Sequence, residues 1–170
     1  MALSTIVKNM RDGTLLIQDG TAVTPLDLTV QFEAGDFSVS GLNQAAGKAY
    51  NIAQYMDRGE IFAGGIRKTT QAPPTGSFTC YLTELSDGTN ETVPDILLQQ
   101  NKFSSAVSTL GADADCYALK LTWSCEGTDH GDPSDHTLAL DDCLVTLDIN
   151  EGDPNTFSIS FTCLGLVTMT

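Results

Sequence analysis

At 170 residues, with 41% hydrophobic side chains, the chain is one domain in size and can bury a core without staples. Its 22 acidic residues against 8 basic ones give a net charge of -14, and only Arg67 and Lys68 of the basic set are adjacent, which excludes a direct electrostatic clamp on nucleic acid. No apolar run approaches the roughly 18 residues of a membrane helix, and the opening Met1–Lys8 is too short and wrongly charged for a signal peptide, so maturation in the cytoplasm of synthesis is expected.

The dominant period along the chain is two. Thr14–Asp19 reads as a first strand, with Asp19-Gly20 a turn signal at its end. Leu26, Leu28, Val30 and Phe32 then alternate with Asp27, Thr29, Gln31 and Glu33, a strand with one face on a core and one polar. A Gly35-Asp36 turn leads into Phe37-Ser38-Val39-Ser40. The stretch from about 41 to 76 is the least regular, with Gly41, Gly47, Gly59, Gly64-Gly65 and Pro73-Pro74, and it holds two plausible strands, Ala49–Met56 and Glu60–Ala63. Long loops of this kind are usually functional, and in a self-assembling protein they are natural arms toward a neighbour.

Further on, the pattern changes once. Thr92 can cap a helix whose first turn takes Pro94 and Asp95, with Ile96, Leu97 and Phe103 as its apolar stripe, so one helix of two to three turns is expected over about 93–102, packed over a sheet edge or end. Alternation then returns. Tyr117, Leu119, Leu121, Trp123 and Cys125 face one way and Ala118, Lys120, Thr122 and Ser124 the other. Phe157, Ile159, Phe161 and Cys163 alternate with Ser158, Ser160 and Thr162. Ser- and Thr-rich outer faces suit antiparallel sheets. The fold class expected is therefore all-β, a sandwich or open barrel of antiparallel strands with one short flanking α-helix, in a single domain over 1–170.

The two ends of the chain look alike. Thr14–Asp19 matches Thr137–Asp142, Thr29–Asp36 matches Thr146–Asp153, and Phe37–Ser40 matches Phe157–Ser160 after an inserted Pro154-Asn155-Thr156. Read as a duplication, this gives two units of strand, strand, Gly-Asp turn and strand, facing each other across a sandwich core; the alternative is chance convergence of two β-meanders.

Residues that could carry chemistry are few. Cys80, Cys116, Cys125, Cys143 and Cys163 are odd in number, lack a CxxC pair and mostly sit in strand-like runs, so they read as small buried apolar groups rather than disulfides, metal ligands or redox centres. Both histidines lie in Glu126–His136, where Asp129, His130, Asp132, Asp135 and His136 could ligate a cation. The spacing fits neither an EF-hand nor HExxH, and an acidic turn-rich loop is the favoured reading. There is no G-x-S-x-G elbow, P-loop or G-x-G-x-x-G. No catalytic residue, cofactor or metal is expected, and the chain reads as a non-enzyme. Trp123 reads as core.

The opening Asp12-Gly13-Thr14-Leu15 with Asp19-Gly20-Thr21, the run Leu28-Thr29-Val30-Gln31-Phe32-Glu33 followed by Gly35-Asp36, and the closing Glu151-Gly152-Asp153-Pro154-Asn155 with Phe157-Ser158-Ile159-Ser160-Phe161 resemble tail tube proteins (major tail proteins) of long-tailed bacteriophages. The resemblance implies a β-sandwich protomer with a flanking helix. Six such protomers form a ring whose inner sheets close a barrel, and rings stack into a tube for genome passage. Its partners would be further copies, a tail terminator, a tape measure and a distal tail protein. Double-stranded DNA would be met only in transit, with no membrane contact. The location implied is the virion tail, after synthesis in the host cytoplasm. Asp27, Gln31, Glu33 and Asp148 are then candidates for a lumen that repels DNA. The irregular segment 41–76 becomes an arm toward the next ring, with Tyr50, Tyr55, Arg67 and Lys68 as candidate interface residues. Two other classes stay open: a capsid decoration or receptor- and carbohydrate-binding β-sandwich of a virion, and an enzyme or metal protein built on the Asp129–His136 loop.

Overall fold

A computed structural model describes residues 13–30, 36–42, 50–57, 60–68, 72–86, 88–125 and 135–170, with 50–57 and 60–68 described by their backbone. Among the described residues the strands are β1 (Gly13–Gln18), β2 (Asp27–Val30), β3 (Ser38–Ser40), β4 (Tyr50–Asp57), β5 (Glu60–Lys68), β6 (Thr75–Tyr81), β7 (Leu119–Cys125), β8 (His136–Asn150), β9 (Thr156–Cys163) and β10 (Val167–Met169), and the α-helix is α1 (Val93–Leu98). Eight strands form one antiparallel sheet in the order β2-β1-β7-β8-β9-β6-β3, with β10 added beside β8; among the described strands β4 and β5 pair with each other and with no other. The fold is the expected antiparallel all-β structure with one short helix. Among the described residues no helix is long and apolar enough to cross a membrane.

Alternation dictates which residues face inward. Leu15 and Ile17 of β1, Leu119 and Leu121 of β7, Phe78 and Cys80 of β6, and Phe157, Ile159 and Phe161 of β9 are all buried in one core. The sheet curls so that distant strands meet across it. Phe37, just before β3, stacks on Trp123 of β7 with ring centroids 6.2 Å apart and on Phe161 of β9 at 5.9 Å. Trp123 is thus a core residue, half-buried against Phe37.

The 15-residue β8 is the spine of the sheet. Its first part pairs with β7 and β10, and its second part with β9. The inward residues shift phase along it, from Leu138 and Leu140 to Cys143, Val145 and Leu147. Two residues, Asp141 and Asp142, stand opposite the single Lys120, since Leu121 pairs with Leu140 while Leu119 pairs with Cys143. This is a β-bulge, and Asp142 takes its left-handed conformation at φ 54°. Lys120 Nζ lies 3.3 Å from Asp141 Oδ1 across the bulge. The turn after β9 closes it from the other side, with Leu164 N donating to Asp142 O at 3.0 Å and Gly165 N to Asp141 O at 3.1 Å. A Cβ on Gly165 would come within 2.5 Å of Asp142 Oδ2 and 2.7 Å of Asp141 O. Asp142→Gly is expected to leave stability within about 0.5 kcal/mol, and Asp142→Val to cost about 1–2 kcal/mol, because a β-branched side chain fits the left-handed region poorly. Urea melts of the two variants check this.

The bulge also corrects the reading of a duplication. At the N-terminal end, Asp19 ends β1 and the chain reverses into β2. At the matched position, Asp142 only kinks the backbone, and β8 runs on. Strand, strand, turn and strand therefore occurs once, and the core lies inside one curled sheet rather than between two repeated units. The physical reason is local. Asp19 accepts hydrogen bonds from Thr21 N and Leu26 N, the two ends of a reversal, whereas Asp142 sits in a ladder that already pairs on both sides.

The helix is shorter than expected. Thr92 caps it, its Oγ1 accepting from Asp95 N at 3.3 Å, but Gln99 enters the left-handed region at φ 53° and ends it after six residues. A 3-10 turn, Asn101–Phe103, follows. Ile96 and Phe103 are buried as the apolar stripe required, and α1 contacts the edge strand β2 and β8. Asp95 is only 1% exposed and is held by Thr92 Oγ1 at 2.8 Å, Ser86 Oγ at 3.0 Å and Asn101 Nδ2 at 2.8 Å. Much of the irregular segment 41–76 is ordered as well. β4 and β5 form a hairpin with a register shift between Tyr55 and Met56, β5 runs through Gly64-Gly65 to Lys68, and β6 begins at Thr75.

Candidate assembly surface

The outward positions of β8, β9, β6 and β3 form one wall. From β3 come Ser38 and Ser40, from β6 Thr75, Ser77, Thr79 and Tyr81, from β9 Ser158, Ser160 and Thr162, and from β8 Leu144, Thr146, Asp148 and Asn150. The register aligns them in rows: Ser38 opposite Ser77, which is opposite Ser160, and Asp148 opposite Ser158, which is opposite Thr79. Hydroxyls bond to one another across strands, Ser38 to Ser77 and Ser40 to Thr75 at 3.3 Å each, and Asn150 Nδ2 donates to Ser158 Oγ at 2.5 Å. Asp36 accepts from Thr79 N at 2.8 Å and from the Thr79 hydroxyl, adding a second carboxylate to the wall. None of these outward positions carries Lys or Arg.

Of the predicted lumen residues, Asp27 and Asp148 are described, and they lie on different strands, β2 and β8, of the same sheet. Asp148 belongs to this wall. Asp27 is exposed on β2, opposite Gln18, which in turn stands opposite Lys120. That is the outer face of the other half of the curled sheet. Gln31 and Glu33 lie outside the described residues. Of the arm residues, Tyr50 pairs with Lys68, Asn51 with Arg67, and Tyr55 with Ala63 in the hairpin register. Of the acidic loop, residues 126–134 lie outside the described residues; Asp135 and His136 are exposed, His136 opening β8 opposite Cys125. Among the described residues no group of three or more His, Cys, Asp or Glu is placed to hold a metal ion.

Sequence reasoning missed an edge of β10 that no described strand covers. Thr137 and Thr170 exchange backbone hydrogen bonds in both directions, at 2.9 and 3.0 Å. Alternation along an antiparallel ladder then turns the N–H and C=O groups of Val167 and Met169 away from β8. Beside this edge lies an apolar groove of about 380 Å³ lined by Leu42, Trp123, Leu138 and Met169. Met169 is 62% and Leu166 75% exposed. The signal was present in Leu164-Gly165-Leu166-Val167, an apolar end to an otherwise polar turn.

No protein-family model and no curated protein matches the chain. Among solved structures, a chain in the six-fold symmetrised cryo-EM structure of the anti-feeding prophage baseplate aligns over 100% of this chain and 97% of its own length, with a TM-score of 0.55 and 10% identity. A chain in the cryo-EM structure of the anti-feeding prophage cap, which terminates the tube, aligns over 100% and 94%, with a TM-score of 0.49 and 11% identity. Across its whole length, then, this chain is similar in fold to a chain of the anti-feeding prophage baseplate structure.

Proposed function

We propose that this chain is a non-catalytic structural subunit of a phage-tail-like particle, which joins copies of itself in six-membered rings that stack into a tube. The observation that carries the reading is the wall formed by β8, β9, β6 and β3, hydroxyl-covered, acidic and without a cation. Facing a bore, such a wall repels a passing duplex and offers it no counterion-releasing contact. Asp148 and Asp36 supply its charge, and Asp27, on the opposite half of the sheet, faces a neighbour or solvent instead. The full-length fold likeness to a chain of a tail-like particle supports the same reading.

Assembly needs adhesive surfaces that outweigh a charge of -14 on every copy. The outward backbone groups of β10 and the Leu42–Met169 groove suit an added strand from a second copy, and ring closure removes such edges. The β4–β5 hairpin supports an arm. A two-stranded ribbon is marginal by itself in water, and no strand of the main sheet pairs with it. A neighbour's surface would cover it.

Electron microscopy of concentrated protein is expected to reveal rings or stacked tubes; protein that stays solitary by sedimentation velocity at every concentration refutes the reading. Tubes of Asp148→Lys are expected to retain short duplex DNA at low salt and release it at high salt, while wild-type tubes retain none. Persistent trimers that bind carbohydrate would favour a virion surface module.

A further inference from the structure

Cys143 of β8 and Cys163 of β9 are direct partners in the antiparallel register, 0% and 1% exposed. Cys163 N donates to Pro74 O at 2.8 Å, on the side away from β8, while Leu164 N donates to Asp142 O at 3.0 Å. The Cys143–Cys163 pair is therefore the narrow, non-hydrogen-bonded kind, in which opposed Cα atoms lie about 4.5 Å apart and the side chains approach most closely. That spacing is within the range a disulfide spans, about 4.4–6.8 Å. No other cysteine stands opposite a cysteine in the sheet register. Cys80 faces Phe157, Cys125 faces Gly13 and His136, and Cys116 lies exposed outside the strands.

We propose that Cys143 and Cys163 are an oxidisable thiol pair that closes into a cross-strand disulfide at the β8 bulge. Both thiols donate to backbone carbonyls, Cys143 Sγ to Leu140 O at 3.5 Å and Cys163 Sγ to Asp141 O at 3.1 Å, and either sulfur, once deprotonated, can attack. The oxidant is a small hydroperoxide. One thiolate attacks one peroxide oxygen, the O–O bond breaks, and the departing hydroxide takes a proton to leave as water. The other sulfur then displaces hydroxide from the sulfenic acid so formed. The S–S bond forms as the S–O bond breaks, and the hydroxide takes the second thiol's proton. Two thiols and one hydrogen peroxide become one disulfide and two waters, with two electrons passed to the peroxide.

The link would tie both parts of β8 to β9 where the sheet changes phase. Its use in a particle that forms in a reducing compartment and acts outside one rests on the assembly reading; the chemistry does not.

The test is hydrogen peroxide treatment of a Cys116→Ser variant, which removes intermolecular linking, followed by alkylation under denaturing conditions, intact mass and peptide mapping. Expected are the loss of two alkylatable thiols, a linked Cys143–Cys163 peptide, and a rise in Tm of about 5–10 °C that dithiothreitol reverses. Cys143→Ala and Cys163→Ala are expected to lose both the link and the rise. Retention of all four remaining thiols, a link through Cys80 or Cys125, or sulfinic acid at Cys163 without a link would refute the pairing. Tubes without a disulfide would sink this inference alone, and a disulfide in a permanently monomeric protein would sink the assembly reading alone.

Discussion

Asp19→Ala is expected to lower stability by about 4 kcal/mol at neutral pH, and Tm by about 8–16 °C. The side chain is 4% exposed and accepts four hydrogen bonds. These come from Thr21 N at 3.2 Å, Thr21 Oγ1 at 2.6 Å, Leu26 N at 2.7 Å and Val107 N at 3.0 Å. The first three close the β1–β2 reversal. The fourth ties that reversal to the segment leading into β7, 88 residues away in sequence. Removing the carboxylate strands these donors where water reaches them poorly, and stranded donors cost more than the average bond contributes. The pH dependence follows from the same contacts. Burial pushes the Asp19 pKa up, and the bonds from Thr21, Val107 and Leu26 bring it down further, to below the ordinary 3.8. A depressed carboxylate contributes stability that is complete above its unfolded pKa and is lost as pH falls through the folded one. The gap between wild type and Asp19→Asn in urea melts should be constant from pH 7 to 5 and shrink below about pH 4. A gap unchanged at pH 3 would place the effect elsewhere.

The second large effect is expected at Phe161. This ring is 3% exposed and lies 5.9 Å from Phe37 and 6.5 Å from Phe78, so it joins β9, β6 and the approach to β3. It also covers Gly76, its cross-strand partner: a Cβ there would come within 2.4 Å of Phe161 Cζ and 2.2 Å of Ser38 O. Phe161→Ala is expected to cost about 3–5 kcal/mol, combining lost burial with a cavity. Gly76→Ala should cost about 2–3 kcal/mol, since the ring and the β3 backbone must both shift. In the double variant the ring clash is gone, so the two costs should fall short of their sum by about 1 kcal/mol. Denaturant melts of the four proteins in this cycle measure the shortfall; strict additivity would mean the ring and the glycine do not share the space described.

The elements that were legible in the sequence are those where burial alternates without interruption. β7 and β9 carry Leu119 to Cys125 and Phe157 to Cys163 in strict period two, because each has one face on the core along its full length. β8 was harder because its period breaks between Leu140 and Cys143. Only the register with Lys120 reveals that step as a bulge rather than the end of a strand. The likeness between the chain's ends misled for a related reason: Asp19 and Asp142 are the same residue in similar local sequence, and long-range partners decide whether the chain turns or continues. Glycine in β5 concealed where the strand begun at Glu60–Ala63 ends, since Gly64-Gly65 interrupts the signal before Ile66 and the strand runs on to Lys68. The polar wall shows a similar limit. Its Ser and Thr positions are readable as outward-facing, yet their gathering into one surface depends on β3 pairing with β6 some 35 residues away. Asp27 and Asp148 look alike in sequence for that reason, and the strand order sets them on different strands, β2 and β8.

β8 also bears on how the molecule yields. Its backbone belongs to both halves of the curled sheet without a linker between them, and the bulge at Asp141-Asp142 is clamped by β7 on one flank and by the turn after β9 on the other. Neither half has a seam along which it can peel away while the other persists. Pulling or heating one half loads the same covalent strand that holds the other, so the structure gives way as a unit. In a stacked wall, that strand would act as a continuous tie, passing tension through each copy rather than concentrating it at a joint.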